Sequence, residues 1–216
     1  MRIIGIVSLI LNFSTSGLGQ TVGVDLAQYL KPKSDTLFYN CTFDSFHALG
    51  LHETVNLVYN KIQIGSDTAY YISNAEDIDG TQSQLASFLG SAMIFKNDSV
   101  LLASLTLNER PDKLTKQNFS RVLPPNLNFA KPFELAKLKW YDLIMEVFIK
   151  DYQFEDLSID STILTRCLRL NLIVYDRSMV LQETVWLSLD YGIVKWIRTT
   201  DREEVLDLTR LEKYSR

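Results

Sequence analysis

Apolar and polar residues alternate with a period of two along most of this chain, from residue 36 to residue 211. Such alternation is typical of β-strands that bury one face, because successive side chains of a strand point to opposite sides of a sheet. The alternating segments are also rich in β-branched and aromatic residues, which favour strands. They cover residues 36–43, 55–64, 68–73, 92–96, 100–107, 143–152, 164–175, 181–189, 193–198 and 205–211. The sequence therefore predicts a mainly β protein.

Short polar connectors separate many of these segments. Turn-forming residues occupy positions 97–98, 176–178, 190–192 and 200–202. A crossover between parallel strands needs about a dozen residues or more, so connectors this short indicate hairpins between antiparallel neighbours. We predict a curved antiparallel sheet, a half-barrel in which the strands follow one another as a meander.

Helical patterns are short and occur in three places. They cover residues 25–30, 83–89 and 132–137, and the last begins with proline, which is favoured at the first position of a helix. A curved sheet with one apolar face needs a cover for that face, so we expect these helices to cover the open side or the ends of the sheet. The stretch 108–132 holds four of the five prolines and little alternation, and we predict a long surface loop there.

Residues 1–19 have the pattern of a secretory signal peptide. Arg2 gives a cationic start, residues 3–11 form an apolar run, and small residues precede a cleavage position before Gln20. The apolar run is much shorter than the roughly 20 residues of a membrane-spanning helix. A buried N-terminal strand or helix is the alternative. We predict a signal peptide at 1–19, a single β-rich domain at 20–216 with no transmembrane span after signal removal, and export to the periplasm or the exterior of a bacterial cell.

Charge and cysteine content narrow the expected partners. The formal net charge is −4 and the sequence has no cluster of basic residues, whereas binding to a nucleic-acid backbone needs clustered lysine and arginine. Nucleic acid is therefore not an expected partner. An oxidising compartment would permit a disulfide between Cys41 and Cys167. Alternation places Leu164 and Leu168 on the apolar face and Cys167 with Arg169 on the other, so two separate thiols are the alternative.

No set of residues has the spacing of a catalytic or metal site. His47 and His52 fall on different faces of either a helix or a strand, and a zinc site needs several converging ligands. The acidic stretch 76–80 does not place carboxylates at the positions of an EF-hand loop. Gly90-Ser91 lacks the flanking glycines of a nucleophile elbow. We predict no catalytic residue, no cofactor and no metal, and hence a protein that is not an enzyme; ligand-binding residues stay unknown at this stage.

Aromatic residues are spread over the predicted strands and permit two interpretations. A ligand cavity would use them as apolar lining with few polar groups, whereas a packed β core uses such residues in the same way. We favour core packing. The residues in question are Tyr59, Tyr70, Tyr71, Trp140, Tyr141, Phe148, Trp186 and Trp196.

Residues 184–198 predict a hairpin. Gly192 permits the positive φ of a tight turn, after which residues 193–198 can pair back against residues 184–189. This pairing is expected to bury Val185, Leu187 and Leu189.

This hairpin and the strand at 205–209 resemble the last two hairpins of uncharacterised secreted bacterial proteins and lipoproteins. In those proteins an aromatic strand leads through a Pro-Gly turn into a Gly-hydrophobic-Val-Lys sequence, which residues 192–195 match, although Pro-Gly itself is missing here. The strand at 162–170 is similar to their preceding cysteine-containing strand, and Tyr70-Tyr71 is similar to an earlier one. The resemblance implies a lipoprotein-carrier-like (LolA- and LolB-like) curved sheet, an open half-barrel around an apolar concavity. It implies no catalytic residues.

We therefore expect an exported, non-enzymatic binding or envelope-associated protein that holds a lipid, another apolar ligand or an envelope protein on the concave sheet. One alternative is a structural or interaction module with a filled core. Another is a hydrolase whose catalytic groups converge from distant strands. A continuous apolar cavity of roughly 300 Å³ or more favours the binding protein, whereas an exposed apolar patch or an unpaired edge strand favours the interaction module.

Overall fold

The computed structural model of the protein describes residues 25–33, 36–41, 54–74, 91–96, 99–104, 113–123, 131–140, 143–176, 179–199 and 204–210. These residues form one α-helix, α1 (Leu26–Leu30), and twelve β-strands. The strands are β1 (Thr36–Cys41), β2 (Thr54–Ile64), β3 (Asp67–Asn74), β4 (Ser91–Lys96), β5 (Ser99–Ser104), β6 (Arg121–Leu123), β7 (Phe133–Trp140), β8 (Leu143–Ile159), β9 (Thr162–Asp176), β10 (Met179–Ser188), β11 (Gly192–Thr199) and β12 (Glu204–Arg210). Every strand predicted from the alternation is present, and the protein is mainly β.

All twelve strands belong to one sheet, in the order β6-β5-β4-β3-β2-β1-β12-β11-β10-β9-β8-β7. Each ladder between neighbours is antiparallel. Two meanders, β1 to β6 and β7 to β12, are joined where the first strand pairs with the last. The predicted antiparallel meander is confirmed.

The two edges of this sheet approach each other without forming a strand ladder among the described residues. The backbone N–H of Lys137 on β7 donates to Oγ of Ser104 on β5 over 2.8 Å. Arg121 on β6 donates to the same Oγ and forms an ion pair of 2.9 Å with Glu134 on β7. The sheet therefore curls until side chains join its edges, but strand pairing does not close it into a barrel.

The inner face of the curled sheet carries the main core. Its buried side chains come from nearly every strand, as expected when a single apolar face wraps around its own contents. They are Leu57, Tyr59, Ile72, Met93, Val100, Leu102, Leu123, Leu135, Ala136, Val147, Ile149, Leu168, Leu170, Leu172, Val174, Val185, Leu187, Ile193 and Trp196.

Helix α1 packs against β10 and β11 and adds to this core. The side chain of Asp25 accepts a hydrogen bond of 3.1 Å from the N–H of Ala27 and so caps the first turn. Lys31 is already extended, because the residue before a proline such as Pro32 is disfavoured in the helical region. The helix buries Leu26, Tyr29 and Leu30 in the main core. The prediction of a short helix at 25–30 is confirmed.

The prediction of a helix at 132–137 is wrong, because these residues belong to β7. That strand pairs with β8 from Phe133 opposite Ile149 onward, with a bulge between Glu134 and Ala136. The bulge lets two consecutive residues, Leu135 and Ala136, face the core, which hides the period of two. Pairing and burial here override a local preference for helix, which is always a weak guide.

The predicted long loop at 108–132 is also partly wrong. It contains strand β6 and a 3₁₀ turn at Lys116–Asn118. Leu114 and Phe119, on either side of that turn, pack on the outer face of β2 to β5 against residues such as Ile64 and Ile94. This segment covers a second, smaller core.

Two details of the C-terminal hairpin were predicted incorrectly or incompletely. Val185 and Leu187 are buried as expected, but Leu189 lies in the turn and is 41% exposed. A register shift in the ladder lets Ile193 and Trp196 both face the core, although they are three positions apart. Gly192 has a φ of 71°, which confirms the predicted tight turn.

A bulge in β9 changes the face that Leu164 occupies. Arg166 has a φ of 55° and the ladder with β8 shifts register opposite this region, so Leu164 and Cys167 share the outer face. They pack there with Ile159 and Val194 in a third cluster. The prediction that Leu164 joins Leu168 on the main apolar face is therefore wrong. Cys167 is a free, buried thiol, so the alternative of separate thiols holds.

Several predictions concern residues outside those that the structure describes. These are the signal peptide at 1–19, the helix at 83–89, His47 and His52, and the acidic stretch at 76–80. In the described part of the chain, no helix has the length and apolar character needed to traverse a bilayer.

Candidate functional site

An ion pair lies buried on the inner face of the sheet. Glu183 on β10 and Arg198 on β11 stand directly opposite each other in the ladder, and each shares its face with core residues of its own strand. Nε of Arg198 donates to Oε1 of Glu183 over 2.6 Å, and the two side chains are 8% and 0% exposed. Because side chains alternate along each strand, both charged side chains point to the interior.

The described neighbours of this pair in the same row of the sheet are apolar. Leu172 on β9 pairs with Glu183, and Ile149 on β8 pairs in turn with Leu172, so the same row across the sheet continues with buried aliphatic side chains. Moving each charged group out of water costs on the order of several kcal/mol, and the attraction between the two charges compensates for this only when their geometry is good. A pair in this position is therefore weak support for stability and suggests another role.

Trp196 completes the arrangement. Its side chain is fully buried, and the guanidinium of Arg198 lies over its ring at 5.8 Å from the centroid. Its indole Nε1 has no hydrogen-bond partner within the part of the chain that the structure describes. A buried donor left unsatisfied costs about 1–3 kcal/mol. Glu183, Trp196 and Arg198 are termed the inner polar group below.

Helix α1 lies toward the other end of the same strands. The hydroxyl of Tyr29 donates to the carbonyl oxygen of Arg166 over 3.3 Å, and burial raises the pKa of that hydroxyl. Lys33, just after α1, lies close to Gly192 at the start of β11. Arg198 is six residues further along β11, roughly 20 Å away at about 3.3 Å per residue. The inner face between them is lined by apolar side chains.

A polar network also occupies the outer face of β8 to β10. Glu155 accepts hydrogen bonds from Nε1 of Trp186 over 2.5 Å, from Gln153 over 2.7 Å and from Arg169 over 3.1 Å. Burial alone would raise the pKa of Glu155, but these hydrogen bonds and the charge of Arg169 outweigh it and lower that pKa. Lys195 lies over the ring of Trp186 at 5.9 Å. These outer groups are partly exposed and satisfy one another, except for Nε of Arg169.

The structure divides the predicted aromatic set between the two faces. Tyr59 and Trp196 lie in the main core, and Tyr70 packs near it against Phe95 at 5.8 Å. Tyr71 and Trp186 belong to the outer clusters. Phe148 packs edge-on against Tyr175, with ring centroids 5.7 Å apart. The side chains of Trp140 and Tyr141 lie outside those that the structure describes.

Among the described residues, no group of three or more His, Cys, Asp or Glu side chains is placed so that it could hold a metal ion. Cys167 is buried, and that burial, followed by the charges of Asp156 and Glu155, raises its pKa to about 11.

Sequence reasoning missed Glu183 and Arg198 as members of a site. A signal was available, since Glu183 has the parity of Val185 and Leu187, and Arg198 has the parity of Trp196. A charged residue at an inward position of an alternating strand is either an error of register or a buried polar group. Only pairing across the two strands shows that these charges meet.

The fold and the inner polar group together define a class: an open, curled antiparallel sheet with an apolar interior and a small buried polar group. No protein-family model matches this chain, and no curated protein matches it. A solved structure described as a "putative lipoprotein" from Parabacteroides distasonis is similar to it, with 11% identity, over 84% of this chain and 96% of that one, at a TM-score of 0.38. A likeness this weak defines neither the fold nor the function of the present chain.

Proposed function

We propose that this protein is an exported, envelope-associated binding protein without enzymatic activity, which holds an apolar ligand on the inner face of its sheet. The observation that carries the proposal is the inner polar group, with the unpartnered Nε1 of Trp196, in an otherwise apolar interior. Small-molecule sites are mostly apolar with a few converging polar groups that orient the guest. Buried donors in native proteins nearly always have a partner, which here would be supplied by the ligand.

A ligand reaches the inner face by displacing α1. The helix has five residues, far fewer than the roughly 12–15 that an isolated helix needs for marginal stability in water. Its place depends on packing by Leu26, Tyr29 and Leu30. A ligand that offers equivalent apolar contacts can displace these side chains at little net cost.

The absence of catalysis is part of the proposal. Glu183 is bound to Arg198, an arrangement suited to holding a group in place and not to exchanging protons with a substrate. The thiol of Cys167 has a pKa of about 11 and lies buried on the outer side, away from the inner polar group. A nucleophilic cysteine instead needs a depressed pKa and access.

A second candidate is an interaction module whose interior is permanently filled. Its supporting observation is that side chains from α1 and from most strands already pack together in one continuous core. In that case α1 is a fixed part of the core, and partners would bind elsewhere on the molecule.

Binding of a hydrophobic fluorophore separates the two functions. The full-length product as secreted by its host is titrated with N-phenyl-1-naphthylamine, and the same preparation is analysed by native mass spectrometry. We expect saturable binding at one probe per chain and an adduct of lipid mass that unfolding releases. A protein that binds no probe and is detected by native mass spectrometry without an adduct contradicts the binding function and supports the filled interaction module.

A further inference from the structure

We propose that the curled sheet opens between its two edges, and that this opening, together with displacement of α1, makes room for an apolar ligand on the inner face. The opening lies at the seam, defined as the contacts that Ser104 on β5 and Arg121 on β6 make with Glu134 and Lys137 on β7. It rests on the proposed function and specifies how the binding face becomes accessible.

The need for such an opening follows from the packing of the main core. Helix α1 contributes Leu26, Tyr29 and Leu30, whereas the other buried side chains of this core are fixed on strands. Protein interiors are close-packed, with few voids larger than a water molecule. Displacement of α1 alone leaves the side chains of the strands in contact with one another. A guest of lipid size therefore needs strands that move apart.

The seam is the place where strands can separate with the smallest loss of contacts. Elsewhere in the sheet, neighbouring strands are joined by antiparallel ladders, such as the one between β7 and β8. Across the seam, the N–H of Lys137 donates to Oγ of Ser104 over 2.8 Å, and Arg121 donates to the same Oγ and pairs with Glu134 at 2.9 Å. Arg121 and Glu134 are 23% and 40% exposed, and ion pairs open to water contribute little to stability. Among the described residues, no ladder joins β7 to β5 or β6.

Opening at the seam leads directly into the main core. Leu102 on β5, Leu123 on β6 and Leu135 on β7 are almost fully buried members of that core. In the free protein, separation of the edges exposes this apolar surface to water, which is unfavourable and keeps the edges together. An apolar ligand that enters between the edges covers the same surface. The ligand therefore binds the open form better than the form with the seam intact, and its binding shifts the population toward the open form.

Amide hydrogen exchange of the unaltered, secreted full-length protein tests the opening. Exchange is measured by peptide-resolved mass spectrometry near neutral pH, with and without saturating N-phenyl-1-naphthylamine. We expect faster exchange over residues 133–140 when the probe is bound, because the N–H of Lys137 loses its acceptor on Ser104, and no faster exchange in β9 or β10. Exchange over 133–140 that slows or stays the same in a protein that binds the probe overturns the proposal.

Two matched variants test the contacts of the seam by the rate at which the probe associates. Arg121→Met removes both contacts of the guanidinium and should raise this rate about tenfold, because the open form becomes more populated. Lys137→Met also removes an ion pair from β7, but that pair joins Lys137 to Glu146 within the ladder with β8. It should leave the rate unchanged. Equal rates for Arg121→Met and the unaltered protein overturn the proposal.

Charge reversal separates an effect on the seam from a general loss of stability. Arg121→Glu places two carboxylates opposite each other and should speed association of the probe. The double variant Arg121→Glu, Glu134→Arg restores an ion pair between the same strands and should bring the rate back toward that of the unaltered protein. A double variant that binds the probe as fast as Arg121→Glu overturns the role of this pair. Unaltered protein that binds no probe refutes the binding function itself, so the two failures are distinguishable.

Discussion

At the scale of single residues, Glu183 and Arg198 are the most consequential side chains. Both are charged, both are buried, and they form an ion pair with each other. Breaking a buried pair leaves one charge uncompensated, which is strongly destabilising, whereas replacing both partners by apolar residues is often neutral.

We expect Glu183→Gln to lower the free energy of unfolding by about 3–5 kcal/mol. The double variant Glu183→Leu, Arg198→Leu should lose much less than the sum of the single changes, because neither charge of the pair is left buried without the other. Urea denaturation followed by circular dichroism measures both. The control is Lys137→Met, which removes the exposed pair between Lys137 and Glu146 and should change stability little. A Glu183→Gln variant as stable as this control contradicts the assigned role.

Cys167 offers a second prediction at this scale. Burial raises its pKa from the ordinary value of 9.0 to about 11. The unfolded chain therefore releases the thiol proton near the ordinary value, while the folded protein keeps it. The stability that this thiol contributes is complete below that value and is lost as pH rises through about 11.

We accordingly expect the unfolding free energy to fall between pH 9 and pH 11 by roughly 2 kcal/mol more in the unaltered protein than in Cys167→Ala. Urea unfolding at a series of pH values measures the difference. Iodoacetamide should label Cys167 only after unfolding. Rapid labelling of the native thiol at neutral pH would show that the thiol is neither buried nor protonated.

At the scale of elements, β7 and α1 show opposite relations between local sequence and final structure. The segment at 132–137 has a helical pattern but becomes a strand, because β8 pairs with it and the core buries Leu135 and Ala136. Residues 25–30 also have a helical pattern, and α1 forms there with the side-chain cap of Asp25. The difference is that β8 pairs with residues 133–140, whereas α1 lies outside the sheet.

For α1 we predict that Leu26→Asp detaches the helix while the sheet persists. Leu26 is 1% exposed in the main core. Burying an unpaired carboxylate in this apolar environment is strongly unfavourable. We expect greater binding of N-phenyl-1-naphthylamine and faster amide exchange at 26–30, with a β-type circular dichroism spectrum retained. Gln28→Asp, on the exposed side of the same helix, serves as the control. Unchanged probe binding in Leu26→Asp would mean that α1 does not cover the binding face.

At the scale of the whole molecule, side chains and not a strand ladder join the two edges of the sheet among the described residues. Oγ of Ser104 accepts from both Lys137 and Arg121, so one hydroxyl joins β5, β6 and β7. Because no row of backbone hydrogen bonds spans this seam in the described chain, it is a weak line in an otherwise continuous sheet.

We expect Ser104→Ala to speed amide hydrogen exchange at Lys137 and its neighbours on β7, with β9 and β10 unaffected. The N–H of Lys137 loses its acceptor, and local opening then needs less free energy. Mass-spectrometric exchange resolved by peptide measures this. Ser99→Ala is the control, since the hydroxyl of Ser99 bonds within its own hairpin to Lys96. Equal exchange rates in both variants contradict a seam held by Ser104.

The sequence by itself determined the class of fold and most strands, because alternation is a local property that each segment carries whatever its neighbours are. It also determined the turn at Gly192, where a positive φ is needed. It did not determine β7, the altered face of Leu164 or the burial of both Ile193 and Trp196, since bulges and register depend on partner strands. The inner polar group required the tertiary structure for the same reason: a charge becomes part of a site only when a pairing distant in sequence places its counterpart opposite and removes water from both.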